Sequence, residues 1–312
     1  MTAKQMDVVT GAFSFTGKYI AERLLSDGRR VTTLTNHPNR STSFSDEVRI
    51  EPYHFDDPDA LATSLEGADT LYNTFWIRNP REGPPPGNAV RYSRRLVRAA
   101  EAAGVRRIVH FSVSNADTST LPYYQAKARV ERLVKDADLS HAILRPTLVF
   151  GRNDLLVNNL AWMLRQSPIF AVFGNGDYRV QPVFVGDVAD IAVEQGATTD
   201  DHTVDVAGPN ILTFEEFLRL LIEHLSVRCY LVHAPPRLAH LGVRALELLL
   251  GDVILTWDEA RGLMDELLVT DTRPSGDTRF SDWLSAHAHQ LGTEYTSYHE
   301  RYDPPSTSTP SS

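Results

Sequence analysis

The stretch Val8-Val9-Thr10-Gly11-Ala12-Phe13-Ser14-Phe15-Thr16-Gly17 decides how this chain folds. A strand-like apolar run enters it, and a helix-like run carrying Tyr19, Ile20, Leu24 and Leu25 leaves it. A glycine-bearing turn at such a junction suits a pyrophosphate, because the first backbone N–H groups of a helix lack intrahelical acceptors and its dipole favours negative charge. Further along stands Tyr123-Tyr124-Gln125-Ala126-Lys127. A Tyr and a Lys four apart share one helix face, so an ammonium can sit beside a phenol and favour its anion. Tyr124 has Ala128 at the same spacing, so only Tyr123 carries the lysine. The two segments together point to nicotinamide-dependent redox chemistry.

Working outward, strand-like and helix-like runs alternate. The strands expected are Met6–Thr10, Arg30–Thr35, Val48–Pro52, Thr70–Thr74, Arg107–Ser112 and His141–Arg145. The helices expected are Thr16–Leu25, Pro58–Leu65, Asn88–Ala103 and Tyr123–Val134. Such alternation implies an α/β fold, a doubly wound parallel sheet of Rossmann type with helices on both faces. Ligands on such sheets bind beyond the carboxyl ends of the strands, where all the segments singled out here fall. The proline run within Arg78–Gly87 breaks the alternation and reads equally as a cover over the cofactor or as a plain connector.

After Arg145 the texture changes. A helix over Leu155–Arg165, a polar loop at Gly174–Asp177 and a strand entering a helix at Gln181–Ala189 are expected. Residues 235–268 and 281–301 read as wholly helical. The division expected is a dinucleotide-binding core over 1–151 and a smaller, mostly helical substrate region over 152–303, interleaved with the last core elements. Residues 304–312, rich in Ser, Thr and Pro, read as a disordered tail.

The bulk numbers exclude several classes. The chain has 312 residues, 42% of them hydrophobic, ample for a buried core. Its net charge of -9 and the lack of a basic stretch interleaved with aromatics argue against a nucleic-acid surface. Cys229 is the single cysteine, so no intrachain disulfide or cysteine zinc cluster can form, and it reads as a small buried residue. The eleven histidines form no metal-ligand pattern, so no metal is expected. The longest apolar helix candidate, Leu238 to Leu250, carries His240, Arg244 and Glu247 and is too short and polar to span a bilayer. With no signal peptide before the first strand, a soluble cytoplasmic protein is expected.

The order glycine turn, serine, tyrosine, lysine resembles the short-chain dehydrogenase/reductase superfamily, in its extended and atypical, epimerase/dehydratase-like branches. The resemblance covers residues 6 to 225. It implies that Gly11, Phe13, Ser14, Phe15, Thr16 and Gly17 hold an NAD(P) pyrophosphate. Ser14 stands where the family has its middle glycine, so the backbone there carries a Cβ and a hydroxyl. Asn36 occupies the end of the second strand, where an NAD-selective site has Asp or Glu, and Arg40 lies four residues on. NADP is therefore favoured over NAD. By the same resemblance Asp56 bonds the adenine amine and Asn73, Thr74 and Phe75 run beneath the cofactor ribose. Asp57 before Pro58 reads as a helix cap.

The resemblance also implies a catalytic set of Ser114, Tyr123 and Lys127. Tyr123 is the acid/base and Lys127 lowers its pKa and holds the nicotinamide ribose. Ser114 polarises the substrate oxygen, with Ser112 as runner-up. The span from Ser114 to Tyr123 is shorter than usual in the extended branch. Trp76, Asn158 and Asn159 fall where substrate contacts are expected. The activity implied is an NAD(P)-dependent oxidoreductase, of reductase/dehydrogenase or epimerase/dehydratase type, acting on a small carbonyl or hydroxyl compound. The alternative is a catalytically silent NAD(P)-binding sensor or accessory protein. The partner expected is a small-molecule substrate, with homodimerisation left open.

Overall fold

The structure is a computed structural model that describes residues 5–40, 42–77 and 86–297. In chain order the elements are β1 (Met6–Thr10), α1 (Phe15–Ser26), β2 (Arg30–Leu34), β3 (Val48–Glu51), α2 (Pro58–Thr63), β4 (Ala68–Asn73), α3 (Pro86–Ala102), β5 (Arg107–Phe111), α4 (Pro122–Lys135) and β6 (Ser140–Pro146). They continue with β7 (Leu148–Phe150), α5 (Leu155–Gln166), β8 (Ile169–Phe173), β9 (Arg179–Val180), β10 (Pro182–Phe184), α6 (Val185–Ala197), β11 (His202–Val206), β12 (Leu212–Thr213), α7 (Phe214–Leu225), β13 (Tyr230–Ala234), α8 (Pro236–Leu250), α9 (Trp257–Met264) and α10 (Phe280–His287).

The chain divides into two compact units. The first comprises Met1–Val149, Gln181–Ile211 and Leu267–Arg279. Its centre is a seven-stranded sheet in the order β11-β6-β5-β4-β1-β2-β3, with every pairing parallel. The order reverses between β1 and β4, which is where doubly wound sheets open a crevice at their carboxyl ends. Buried runs such as Val8-Val9 and Ile108-Val109 make the strands apolar on both faces, and each face has its own core. Ile20, Ala21 and Leu24 of α1 and Val188, Ala189 and Ala192 of α6 pack on one face. Leu61 of α2, Leu96 and Ala100 of α3 and Val134 of α4 pack on the other.

Local chemistry fixes the helix starts. Asp57 caps α2 by accepting from the Ala60 N–H, with Pro58 at the first helical position, as the sequence suggested. In the second unit (Phe150–Val180, Leu212–Glu266, Phe280–Ser312) Thr213 with Glu216 and Thr256 with Glu259 form reciprocal capping boxes on α7 and α9. The core of this unit is aromatic. Phe150, Phe217, Phe280 and Trp283 meet with ring centroids 4.6–5.3 Å apart.

Several expectations are corrected. The edge strand β11 was not foreseen. Its alternating His-Thr-Val-Asp-Val is half-buried, so no continuous apolar run announces it. Residues 235–268 are not one helix. Gly251, at φ +67°, ends α8 in a left-handed turn, and α9 restarts at the Thr256 cap. The helix expected over 281–301 stops at His287 and passes into a short 3-10 turn, and 298–301 lies outside the described residues. Cys229 is half-buried rather than buried. The first break between units falls after Val149, two residues before the expected boundary. Residues 78–85 and the expected 304–312 tail lie outside the described residues. Among the described residues no helix is long and apolar enough to cross a membrane, and no cluster of His, Cys, Asp or Glu could hold a metal ion.

Candidate active site

The glycine turn links β1 to α1 at the carboxyl edge of the first unit's sheet. Gly11 adopts φ +67°, which favours glycine, and its N–H donates to the Leu34 carbonyl at 2.9 Å. The Ala12 N–H donates to Thr33 Oγ1. Gly17 is required for a different reason. A Cβ there would lie 2.2 Å from the Gly11 carbonyl oxygen, so the turn could not close on the helix. Ser14 is extended, at φ -86° and ψ 175°, a conformation open to any residue, so serine replaces the family glycine without strain. Phe13 turns its ring into the core against Phe44. The first-turn N–H groups of Phe15, Thr16 and Gly17 have no intrahelical acceptors. This cradle of backbone donors, with no Cβ at its tightest point, fits a dinucleotide pyrophosphate.

The neighbouring strand ends complete the edge. Asn36 follows β2 and is exposed, with Arg40 half-buried beyond it. Asp56 is 97% exposed and its carboxylate pairs with Arg95 at 3.0 Å. Thr74 Oγ1 donates to the Thr10 carbonyl at 2.5 Å, locking the exit of β4 to the exit of β1. Asn73 is fully buried. Its Nδ2 donates to His110 Nδ1 at 3.1 Å and its Oδ1 accepts from the Phe75 N–H. Phe75 packs its ring into the core beneath.

Tyr123 and Lys127 lie on the inner face of α4. Lys127 is 5% exposed, and its Nζ donates to the Phe111 carbonyl at 2.9 Å and sits 4.2 Å from the centroid of the Trp76 ring. Burial pushes its ammonium down to about 7, with the carboxylate of Glu131 pulling the other way. The Trp76 indole also meets the Tyr123 ring edge-to-face, 5.6 Å between centroids. One indole therefore touches both members of the pair, a role beyond the substrate contact expected of Trp76. One turn on, Glu131 is buried and accepts from Ser112 Oγ at 2.5 Å and from Arg145 through two nitrogens at 2.9 and 2.6 Å. Three successive residues at the end of β5 are thus each held: His110 by Asn73, Phe111 by Lys127 and Ser112 by Glu131. His110 is fully buried, and burial together with the nearby Lys127 charge pushes its imidazole down to about 3.

The serines depart from expectation. Ser114 is fully buried and its hydroxyl donates to the Leu267 carbonyl at 2.6 Å. Asn115, at φ +56°, donates to the carbonyls of Leu267 and Val269. The pair clamps the returning 267–269 segment. A hydroxyl has one proton to give, so in this arrangement neither Ser114 nor Ser112 has one left for a substrate oxygen. The second unit brings a similar correction. Asn158 Oδ1 accepts from the Gly292 N–H and its Nδ2 donates to Thr296 Oγ1 and the Glu294 carbonyl. Asn159 bonds the backbone of Thr296 with both ends of its amide. Both amides fasten the 292–296 segment rather than presenting polar groups to a ligand. The Lys127–Glu131 spacing was visible in the sequence; the Leu267 and Thr296 partners, more than a hundred residues away, were not.

With this geometry in hand, the comparisons bear on class. Residues 11–153 match the family described as NAD(P)H-binding. A mitochondrial protein of Arabidopsis thaliana, NADH dehydrogenase [ubiquinone] 1 alpha subcomplex subunit 9, is 23% identical over 227 residues, covering 69% of this chain and 56% of its own. The ceramide reductase of Caulobacter vibrioides is 29% identical over 192 residues, covering 60% of this chain and 59% of its own. The NADPH-dependent quinone oxidoreductase of Escherichia coli, solved with NADPH, superposes with a TM-score of 0.73 at 19% identity, covering 90% of this chain and 99% of its own. The chain spans about half to three fifths of the length of the first two. Residues 11–153 form an NAD(P)H-binding domain, and the chain shares its fold with the Escherichia coli enzyme.

Proposed function

We propose that this chain is an NAD(P)(H)-dependent oxidoreductase in which Tyr123 transfers the proton and Lys127 sets its acidity. The observation that carries the reading is Lys127, buried one helical turn from Tyr123 with the Trp76 indole against both, on the edge where the glycine turn opens. The turn from Gly11 to Gly17 holds the pyrophosphate, and Asn73, Thr74 and Phe75 underlie the ribose. A bound nicotinamide supplies the hydride. The Tyr123 phenol gives its proton to the substrate oxygen as negative charge grows there, and the phenolate left behind is stabilised by Lys127. Ser114 positions the 267–269 segment, so polarisation of the oxygen falls to Tyr123. Asn36 and Arg40 favour NADP(H). The substrate is a small carbonyl compound or its alcohol; the Escherichia coli and Caulobacter proteins, named for quinone and ceramide reduction, support a reductase.

A second reading, cofactor binding without turnover, is favoured by the bond from Ser114 to Leu267 and by the similarity to a respiratory-complex subunit. Purified protein is titrated with NADPH and then mixed with a panel of quinones, aldehydes and ketones. The oxidoreductase reading expects cofactor oxidation that Tyr123→Phe lowers by about a hundredfold or more while binding persists. Binding with no oxidation across the panel, or equal turnover by the Phe variant, would select the silent reading.

A further inference from the structure

Nine large hydrophobic residues are exposed among the described residues, and seven of them fall in β8, β13 and α8 of the second unit. Leu238, Leu241, Leu248 and Leu249 of α8 are 63, 65, 84 and 82% exposed. At roughly 100° per residue these four and the exposed Ala245 occupy a single arc of about 100°. The opposite side of α8 is the one packed inward. Ala239 and Glu247 are buried there, and Glu247 Oε1 accepts from the Ile254 N–H at 3.0 Å. This helix therefore has an ordinary inner face and a second, uncovered apolar face.

The strands before it repeat the pattern. Parallel pairing sets Ile169 beside Tyr230 and Ala171 beside Val232, and alternation puts all four on one side of the two-stranded sheet. All four are exposed.

The charge around this surface selects its occupant. Between Ser226 and Gly251 the chain carries Arg228, Arg237 and Arg244 against one acid, Glu247, a local excess of +2 in a chain of net -9. All three arginines are exposed, and Arg237 and Arg244 flank one side of the leucine arc; the one acid, Glu247, is buried, with its carboxylate 3.7 Å from Arg244, so α8 exposes no acid. A second copy would bring like charge against like charge. An anionic lipid surface supplies both an apolar layer for the leucines and phosphates for the arginines. We infer that the leucine face of α8, edged by Arg237 and Arg244, docks this protein on an anionic membrane surface, lying in the interface without crossing it. The inference stands whether or not the Tyr123 site turns over.

The test uses the full chain with extruded vesicles, either of phosphatidylcholine alone or of phosphatidylcholine mixed with phosphatidylglycerol, separated by flotation. The wild type is expected to float with the mixed vesicles, less so at high salt, and to stay behind with phosphatidylcholine alone. The double variant Leu241→Glu/Leu248→Glu is expected to lose binding by about tenfold or more. Both positions are solvent-facing, so its melting temperature should match the wild type, and a matched NADPH titration confirms an intact first unit. Arg237→Glu should weaken binding by a smaller factor and remove most of its salt dependence. Wild type that stays behind with mixed vesicles, or a double variant that floats equally well, overturns the inference. So does a wild-type dimer by light scattering that the double variant splits, since the face would then be covered by a second copy.

Discussion

The two ends of the seven-stranded sheet both bury charge, and they do so in opposite ways. At the amino end, Asp7 of β1 is fully buried and bonded by Arg29 through Nε and, at 2.6 Å, Nη2. Arg29 also reaches Asp69 of β4, which Arg106 holds at 2.8 and 3.0 Å. Arg107 of β5 is fully buried, and its guanidinium ends on the carbonyls of Gln195 and Asp200 and the hydroxyls of Ser140 and Thr198. Each carboxylate there has a guanidinium: Arg106 and Arg29 hold the Asp69 carboxyl below its usual range, while burial pushes the Asp7 carboxyl up against the pull of Arg29. At the carboxyl end the compensation is incomplete. His110 is kept neutral by burial, and Lys127 keeps its ammonium with one carbonyl, one aromatic face and a carboxylate a turn away. A dense set of partners fastens strands together. Incomplete pairing leaves a proton free to move near neutral pH, which is what proton transfer requires.

Substitution should separate the two ends by sign. Asp7→Asn weakens the bonds to Arg29, which keeps Asp69 and Gln5 as partners, and should cost about 1–3 kcal/mol of stability in urea titration. A loss below about 1 kcal/mol would show that the amino-end network is ornamental. Lys127→Met goes the other way. The folded pKa of Lys127 lies below its unfolded value of 10.5, at about 7. Between those values the unfolded chain holds a proton the folded chain has released, so this group makes stability rise with pH through that window. Below about 7 both states are protonated and the cost of burying the ammonium is complete. Lys127→Met should therefore stabilise the protein by about 1–2 kcal/mol under mildly acid conditions, and by less at high pH, while abolishing turnover. A destabilised variant at every pH would place Lys127 with the paired charges of the other end.

The contrast between the ends was only partly legible in the sequence. The glycine turn, the alternation of strands and helices and the Tyr123–Lys127 pair follow from local periodicity and spacing, which a single sequence displays directly. Glu131 was also within reach, four residues after Lys127 on the same helix face. The partner of Ser114 was not. Leu267 lies 153 residues away, and it accepts through its backbone carbonyl, a group every residue possesses. Asn158 and Asn159 misled for the same reason, because their amides close on the backbone at Gly292, Glu294 and Thr296. Polar side chains announce that they need partners; they do not announce that the partner is main chain. The break in the expected 235–268 helix turns on Gly251, a residue a helix interior tolerates at modest cost, so composition alone did not mark it.

The last substitutions leave the sheet untouched and concern the cofactor. A charge-assisted bond from Arg40 to a 2′-phosphate contributes roughly 1.5–3 kcal/mol. Arg40→Ala should weaken NADP(H) binding about tenfold or more and leave NAD(H) nearly unchanged, and Asn36→Asp should shift preference toward NAD(H). Calorimetric titration of both cofactors into the three proteins reads this directly. Equal weakening of both cofactors by Arg40→Ala would sink the NADP assignment.

The claim that the carboxyl end is poised for proton transfer rests on one group, and that group can be titrated. Lysine side chains labelled at the ε-carbon and ζ-nitrogen are followed by NMR from mildly acid to alkaline pH, with Lys127→Met identifying the resonance. The account predicts that Lys127 titrates near 7, well below the ordinary value of 10.5. A Lys127 midpoint at the ordinary value would contradict it.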